Sequence, residues 1–185
     1  MPRIWRGTVA IIGAGPSATR AQAETLRGRA LIIAVNTSYR LAPWADLLYA
    51  CDYKWWDHYR PAFGGLKVTQ DQRAADEFGL LRVPSVDEPG LSLSPLRIHQ
   101  GGNSGYQALN LAVLLGAERV ILLGYDMHGG HWHGRHGGGL NNPEPGNFAR
   151  WIAAFRTVRA PVPIINCTPG SALDAFPVAN LEDVL

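Results

Sequence analysis

The sequence predicts an α/β domain, a mostly parallel sheet with helices on both faces. Three observations predict it. Short apolar runs rich in β-branched residues, such as "TVAIIG" (Thr8 to Gly13) and "RVILLGYD" (Arg119 to Asp126), lack the polar alternation of half-exposed strands. Segments of helical length and propensity alternate with those runs. Glycines and small polar residues recur just past the strand ends. Such alternation builds βαβ units and a sheet covered on both sides.

Each element follows in order. After the first strand, "AGPSATRAQAETLRG" turns at Gly15-Pro16 and continues as a helix toward a C-terminal glycine. "ALIIAVN" (Ala30 to Asn36) and "ADLLYACD" (Ala45 to Asp52) read as two further buried strands. "LKVT" and "LLRV" read as shorter strands around a helix "DQRAADEF", and the proline-rich stretch from Pro84 to Pro95 reads as a loop. "SGYQALNLAVLLGA" (Ser104 to Ala117) is a helix apolar on most sides, with Gln107 and Asn110 its main polar interruptions. That pattern places it between two layers. "NFARWIAAFRTV" reads as an amphipathic helix and "PIINCT" (Pro163 to Thr168) as the last strand. Residues 1–185 thus form a single Rossmann-like domain.

Composition narrows the class. With 46% hydrophobic and 17% charged residues over 185 positions, the chain can bury a real core. The net charge of +2 comes from scattered arginines, so nothing signals nucleic-acid binding. Cys51 and Cys167 each end an apolar run and have no Cys-x-x-Cys partner; they read as buried free thiols of a reducing compartment. The stretch "MPRIWRGTVAIIGAG" has no leader-like or membrane-spanning run, which predicts a soluble cytoplasmic protein without a membrane partner. The apolar and aromatic content permits a homo-oligomer.

In such sheets ligands gather outside the carboxyl ends of the strands. Collected there are Gly13, Gly15, Pro16 and Ser17; Asn36 and Thr37; Asp52; Asn103, Ser104 and Gly105; and Tyr125 with Asp126. Two of these are glycine-rich turns that feed helix N-termini, where free amides and the helix dipole favour phosphate. A nucleotide is the expected ligand. NAD fits poorly, because Asn36 stands where an acidic residue should meet the ribose, and Pro16 removes an amide donor. No Gly-Lys-Ser/Thr follows a glycine loop, which excludes a P-loop.

"IIGAGPS", "AVNTSYR", "YACDYKWW", "GGNSGYQALNLAVLLGAERVILLGYDM" and "INCTPGS", in this order, resemble two related groups of Rossmann-like transferases. One group is the bacterial sialyltransferases that use CMP-sialic acid; the other is the 6-hydroxymethylpterin diphosphokinase-like family. The resemblance implies a nucleotide pocket shaped by Gly13, Gly15, Pro16 and Ser17, with Asn36, Ser104 and Gly105 against the nucleotide. Asp52 matches the diphosphokinase-like group, where it would serve a magnesium–phosphate complex. Asp126 matches both. The chain departs from the sialyltransferases at Ala14, where they carry asparagine, and no tyrosine follows Tyr125. The cofactor implied is a nucleotide or nucleotide sugar, CMP-type or ATP, with magnesium or manganese as candidate cations. The partners are a small-molecule donor and an acceptor.

One loop carries its own signal. "GYDMHGGHWHGRHGGG" (Gly124 to Gly139) holds four histidines, an aspartate and many glycines. A histidine there could act as general base on an acceptor hydroxyl, with His131, His133 and His136 the candidates beside Asp126. The loop could instead hold zinc or manganese, with His131 and His133 at alternating positions and His128, His136 and Asp126 as further candidate ligands; Asp52 remains the candidate for magnesium. It could also be a solvated connector. The spacing matches no familiar zinc motif, so the catalytic reading leads. Trp55 and Trp56 read either as a stacking surface for a base or as core. Function then reads as glycosyl transfer from a nucleotide-activated sugar. ATP-dependent diphosphoryl transfer and non-enzymatic nucleotide sensing are the alternatives.

Overall fold

A computed structural model describes residue 1 and residues 3–185. Seven strands form one parallel sheet: β1 (Thr8–Ile12), β2 (Leu31–Val35), β3 (Leu47–Tyr49), β4 (Leu66–Thr69), β5 (Leu81–Arg82), β8 (Arg119–Leu123) and β9 (Ile164–Asn166). Their order is β5-β4-β3-β2-β1-β8-β9, and every pair is parallel. The chain steps outward from β1 to β5, then returns to lay β8 on the other side of β1. The order therefore reverses between β1 and β8, the position where open α/β sheets bind ligands. The two remaining strands pair in a small sheet, β6 (Ser85–Val86) inside the stretch that reads as a proline-rich loop and β7 (Ile98–His99) just beyond it.

Strand parity builds two cores. Val9 and Ile11 of β1 face one side with Ile33, Val120 and Leu122, while Ala10 and Ile12 face the other with Ile32, Ile121 and Leu123. Helices α4 (Ser104–Leu115) and α5 (Pro145–Arg156) cover the first side. Helices α1 (Arg20–Leu26), α2 (Tyr53–Tyr59) and α3 (Gln72–Phe78) cover the second. Burial of whole apolar strands on both faces is what fixes the register, because a slip of one residue exchanges the two cores.

Helix α4 lies between the sheet and the 84–99 segment, as its composition predicts. Its two polar interruptions are fully used. Asn110 accepts the amides of Ser92 (2.9 Å) and His99 (2.8 Å) and donates to the Ser92 carbonyl (2.9 Å). Gln107 accepts from the Tyr49 hydroxyl at 2.6 Å and donates to the Gln100 carbonyl at 3.2 Å. These side chains tie the proline-rich segment over α4 without leaving buried polar atoms unpaired. Cys51 and Cys167 are buried free thiols, and burial raises both pKa values. Among the described residues no helix is long and apolar enough to cross a membrane.

Candidate functional site

The first glycine turn is closed on itself. The amide of Gly13 donates to the Leu123 carbonyl (2.7 Å), that of Gly15 to Gly124 (2.9 Å), and that of Ala18 back to Gly15 (3.1 Å). Ser17 spends both its amide (3.1 Å) and its hydroxyl (3.0 Å) on the carboxylate of Asp126. Pro16 has no N–H to offer. Most donors of this turn are therefore spent within the protein, while Gly13 and Gly15 pack two loops together and still line the cleft. A Cβ on Gly15 would stand 2.0 Å from Asp126 Oδ2 and 2.6 Å from the Gly124 carbonyl, which forbids any side chain. Helix α1 beyond the turn is capped by its own Thr19, which accepts from the Gln22 amide at 3.2 Å.

The second turn differs. Asn103 caps α4, accepting the Tyr106 amide at 2.8 Å, and α4 is a long, well-formed helix. Among the described residues nothing accepts the amides of Ser104 and Gly105. Both residues line a cavity, so two orphan donors and the positive helix end face open space. The Ser104 hydroxyl is not free. It donates to Cys51 Sγ (3.1 Å) and accepts from the Cys51 amide (3.2 Å), tying α4 to the end of β3.

Two adjoining cavities make up the cleft. The smaller, about 110 Å³, runs between Gly13, Gly15, Gly105, Tyr125, Asp126 and Met127. The larger, about 570 Å³, opens toward Asp52, Lys54, Trp55, Asn141, Asn142 and Asn147. Asn36, Asn103, Ser104, His131, Pro143 and Trp151 line both. The combined space suits a ligand of nucleotide size. Asn36 holds φ at +51°, in the left-handed region, at the junction of the cavities. Asparagine tolerates that conformation better than most residues, and such strain clusters at binding sites.

The other predicted residues fall into place by burial. Thr37 is fully buried and lines neither cavity. Tyr125 is buried, its hydroxyl donating to the Gly105 carbonyl at 2.9 Å, so its ring walls the cleft without a free polar group. Asp52 is exposed at the rim of the larger cavity. Trp56 is core, with Nε1 donating to the Ala50 carbonyl at 3.0 Å, which removes it as a stacking surface; Trp55 lines the larger cavity. Burial raises the Asp126 pKa, and the bonds from Ser17 oppose that shift.

The histidine loop folds over the cleft. The Trp132 amide donates to the Ala14 carbonyl (3.1 Å), pinning the loop to the first turn. Asn142 clamps its far end, accepting the His136 amide at 2.7 Å and donating to the His136 carbonyl at 3.2 Å. Between these anchors His131, His133 and His136 converge, with ring centroids 4.6 to 5.1 Å apart. Each can direct a ring nitrogen to a common point, the three atoms lying within 4.8 Å of one another.

Burial lowers the pKa of all three histidines. For His133 and His136 it falls to about 4, with the neighbouring imidazoles adding to the effect. The cluster is uncharged at neutral pH. Two residues beyond the predicted set complete it. Tyr59, at the end of α2, places its hydroxyl 2.6 Å from His136 Nδ1, and Arg40 stands near His133. Tyr59 closes the aromatic cluster "DYKWWDHY", and that clustering was the available signal; nothing in the local sequence marks Arg40.

Of the candidate metal ligands, His131, His133 and His136 come together and the others do not. Among the described residues Asp52, Asp126 and His128 form no ligand group. Asp126 is engaged by Ser17, and His128 is exposed with Nε2 against the Gly170 carbonyl at 3.1 Å.

Fold and site together define a single Rossmann-like α/β domain with a cleft at the sheet's reversal point. Neither family models nor curated proteins nor solved structures give a match to the chain.

Proposed function

We propose that this protein is a nucleotide-binding transferase that moves a glycosyl group from a nucleotide-activated sugar to an acceptor hydroxyl. The observation that carries the reading is the meeting of two chemistries in one cleft. The free Ser104 and Gly105 amides at the α4 N-terminus line it, and so do His131 and His136 of the uncharged histidine cluster. The helix end suits the donor's phosphate. Asn36 at the junction offers hydrogen bonds to ribose or base. The histidines supply unprotonated ring nitrogens that can take a hydrogen bond from the acceptor hydroxyl and orient it for attack.

Asp52 favours a second reading. An exposed carboxylate beside Lys54 at the mouth of the larger cavity suits a magnesium–polyphosphate, hence diphosphoryl transfer from ATP.

Product analysis separates the two. Incubation with CMP-sialic acid, UDP-sugars, GDP-sugars or ATP, followed by chromatography of the nucleotides, reads slow donor hydrolysis without a known acceptor. Release of CMP, UDP or GDP is expected for glycosyl transfer and AMP from ATP for diphosphoryl transfer. Intact donors throughout, with no binding, would contradict both.

A further inference from the structure

We infer that His131, His133 and His136 bind a divalent transition-metal ion of the zinc class, with one coordination position open to the cleft. Three observations converge on the site. The ligand atoms lie within 4.8 Å of one another. The segment that carries them is anchored from both sides, by the Trp132 amide on the Ala14 carbonyl at 3.1 Å and by Asn142 on the His136 amide at 2.7 Å. His133 Nε2 is buried and has no partner, a polar atom that costs stability until something occupies it.

Zinc bound at about 2.0–2.1 Å from each nitrogen needs the three atoms closer than 4.8 Å. The loop can supply that contraction. Gly134, between His133 and His136, holds φ at +85°, and Gly137 to Gly139 follow directly. Tyr59 completes the geometry. With the Tyr59 hydroxyl at 2.6 Å from Nδ1, the free nitrogen of His136 is Nε2. An ion on Nε2 leaves Nδ1–H to donate to Tyr59, the kind of outer hydrogen bond that orients a metal-binding histidine.

Charge selects the fourth ligand. Three neutral imidazoles leave the ion's two charges uncompensated, and Arg40 adds a positive charge close by. The open position therefore takes an anionic oxygen. His131 lines both cavities, so that oxygen comes from the cleft, as hydroxide or as a phosphate of the bound ligand. Only this last step rests on the nucleotide reading; the ion's binding does not. A ring nitrogen that holds an ion cannot also take a proton, so with the ion bound an ion-bound hydroxide would be the base for the acceptor hydroxyl.

The test uses metal alone. Chelator-treated protein is titrated with cobalt(II), and the visible d–d absorption is read. One equivalent of a tetrahedral-type spectrum, displaced by zinc, is expected. His133→Ala and His136→Ala should abolish the stoichiometric band, and Tyr59→Phe should weaken binding roughly tenfold. Should the alanine variants lose their circular dichroism, wild-type histidine ring resonances decide. Zinc should then shift those of His131, His133 and His136 and leave those of His99 and His128 in place. A featureless cobalt titration, a band that survives both alanine variants, or shifts at His99 or His128 in place of the three would each overturn the site. Inorganic phosphate should change the cobalt band; a band indifferent to phosphate would overturn the open anionic position. Nucleotide binding to the chelator-treated protein tests the functional reading separately.

Discussion

The carboxylate of Asp126, just past the end of β8, reaches across to Ser17 and accepts both its amide (3.1 Å) and its hydroxyl (3.0 Å). That contact locks the loops after β1 and β8 together at the point where the strand order reverses. Asp126→Ala should therefore cost about 2–3 kcal/mol, because two donors lose a charged acceptor. Asp126→Asn, which keeps an acceptor, should cost less. Urea unfolding of the two variants checks both. Equal losses would show that the contact does not hold the loops.

Gly15 is the neighbouring constraint. A methyl there would stand 2.0 Å from Asp126 Oδ2 and 2.6 Å from the Gly124 carbonyl. Gly15→Ala should destabilise the fold by about 3 kcal/mol or more. Gly130→Ala, with nothing within 4 Å of the added carbon, is the matched control. Its melting temperature should stay near wild type.

Asn103 separates stability from binding. Asn103→Asp keeps a good N-cap for α4, so the melting temperature should hold. It also sets a negative charge beside the free Ser104 and Gly105 amides, so affinity for any phosphate ligand should fall at least roughly tenfold. Calorimetry with the best nucleotide reads the second effect, and an unchanged affinity would place the phosphate elsewhere.

The neutral histidines predict an acid-sensitive fold in the metal-free protein. Their folded pKa values lie below the ordinary 6.5, those of His133 and His136 at about 4. Between these limits the unfolded chain binds more protons than the folded one. Stability is therefore full above pH 6.5 and declines as pH falls toward 4. A double variant, His133→Asn with His136→Asn, should flatten the slope of melting temperature against pH in that window. An unchanged slope would mean that other groups set it.

How much of this was legible in the sequence depends on how local the signal was. β1, β2 and β8 declare themselves because each is buried on both faces and needs no alternation. Helix α2 was not legible as a helix, since "YKWWDHY" is crowded with aromatics and is held by packing of Trp55 and Trp56 rather than propensity; Asp52 stands at its N-cap without bonding an amide. The strands β6 and β7 are two residues each and are held over α4 by Asn110. No periodicity can show such pieces.

The site divides in the same way. Glycine turns at both strand ends were visible, yet only the fold shows that the first spends its donors on Leu123, Gly124 and Asp126 while the second does not. The histidines stood out by number. Their convergence was hidden, because spacing of two and three residues in a loop brings rings together only through anchors distant in sequence, Ala14 and Tyr59. Asn142 adds a local clamp that no motif marks.

The central claim is that the cleft at the α4 N-terminus binds a nucleotide. A thermal-shift screen of chelator-treated protein against CMP, UDP, GDP, ATP and CMP-sialic acid tests it most directly, each with and without magnesium, manganese or zinc. Ligand that binds only the folded state must raise the melting temperature. Selective stabilisation by one nucleotide class, lost in Asn103→Asp, is the predicted result. A melting temperature unmoved by every nucleotide, with and without metal, would contradict the claim.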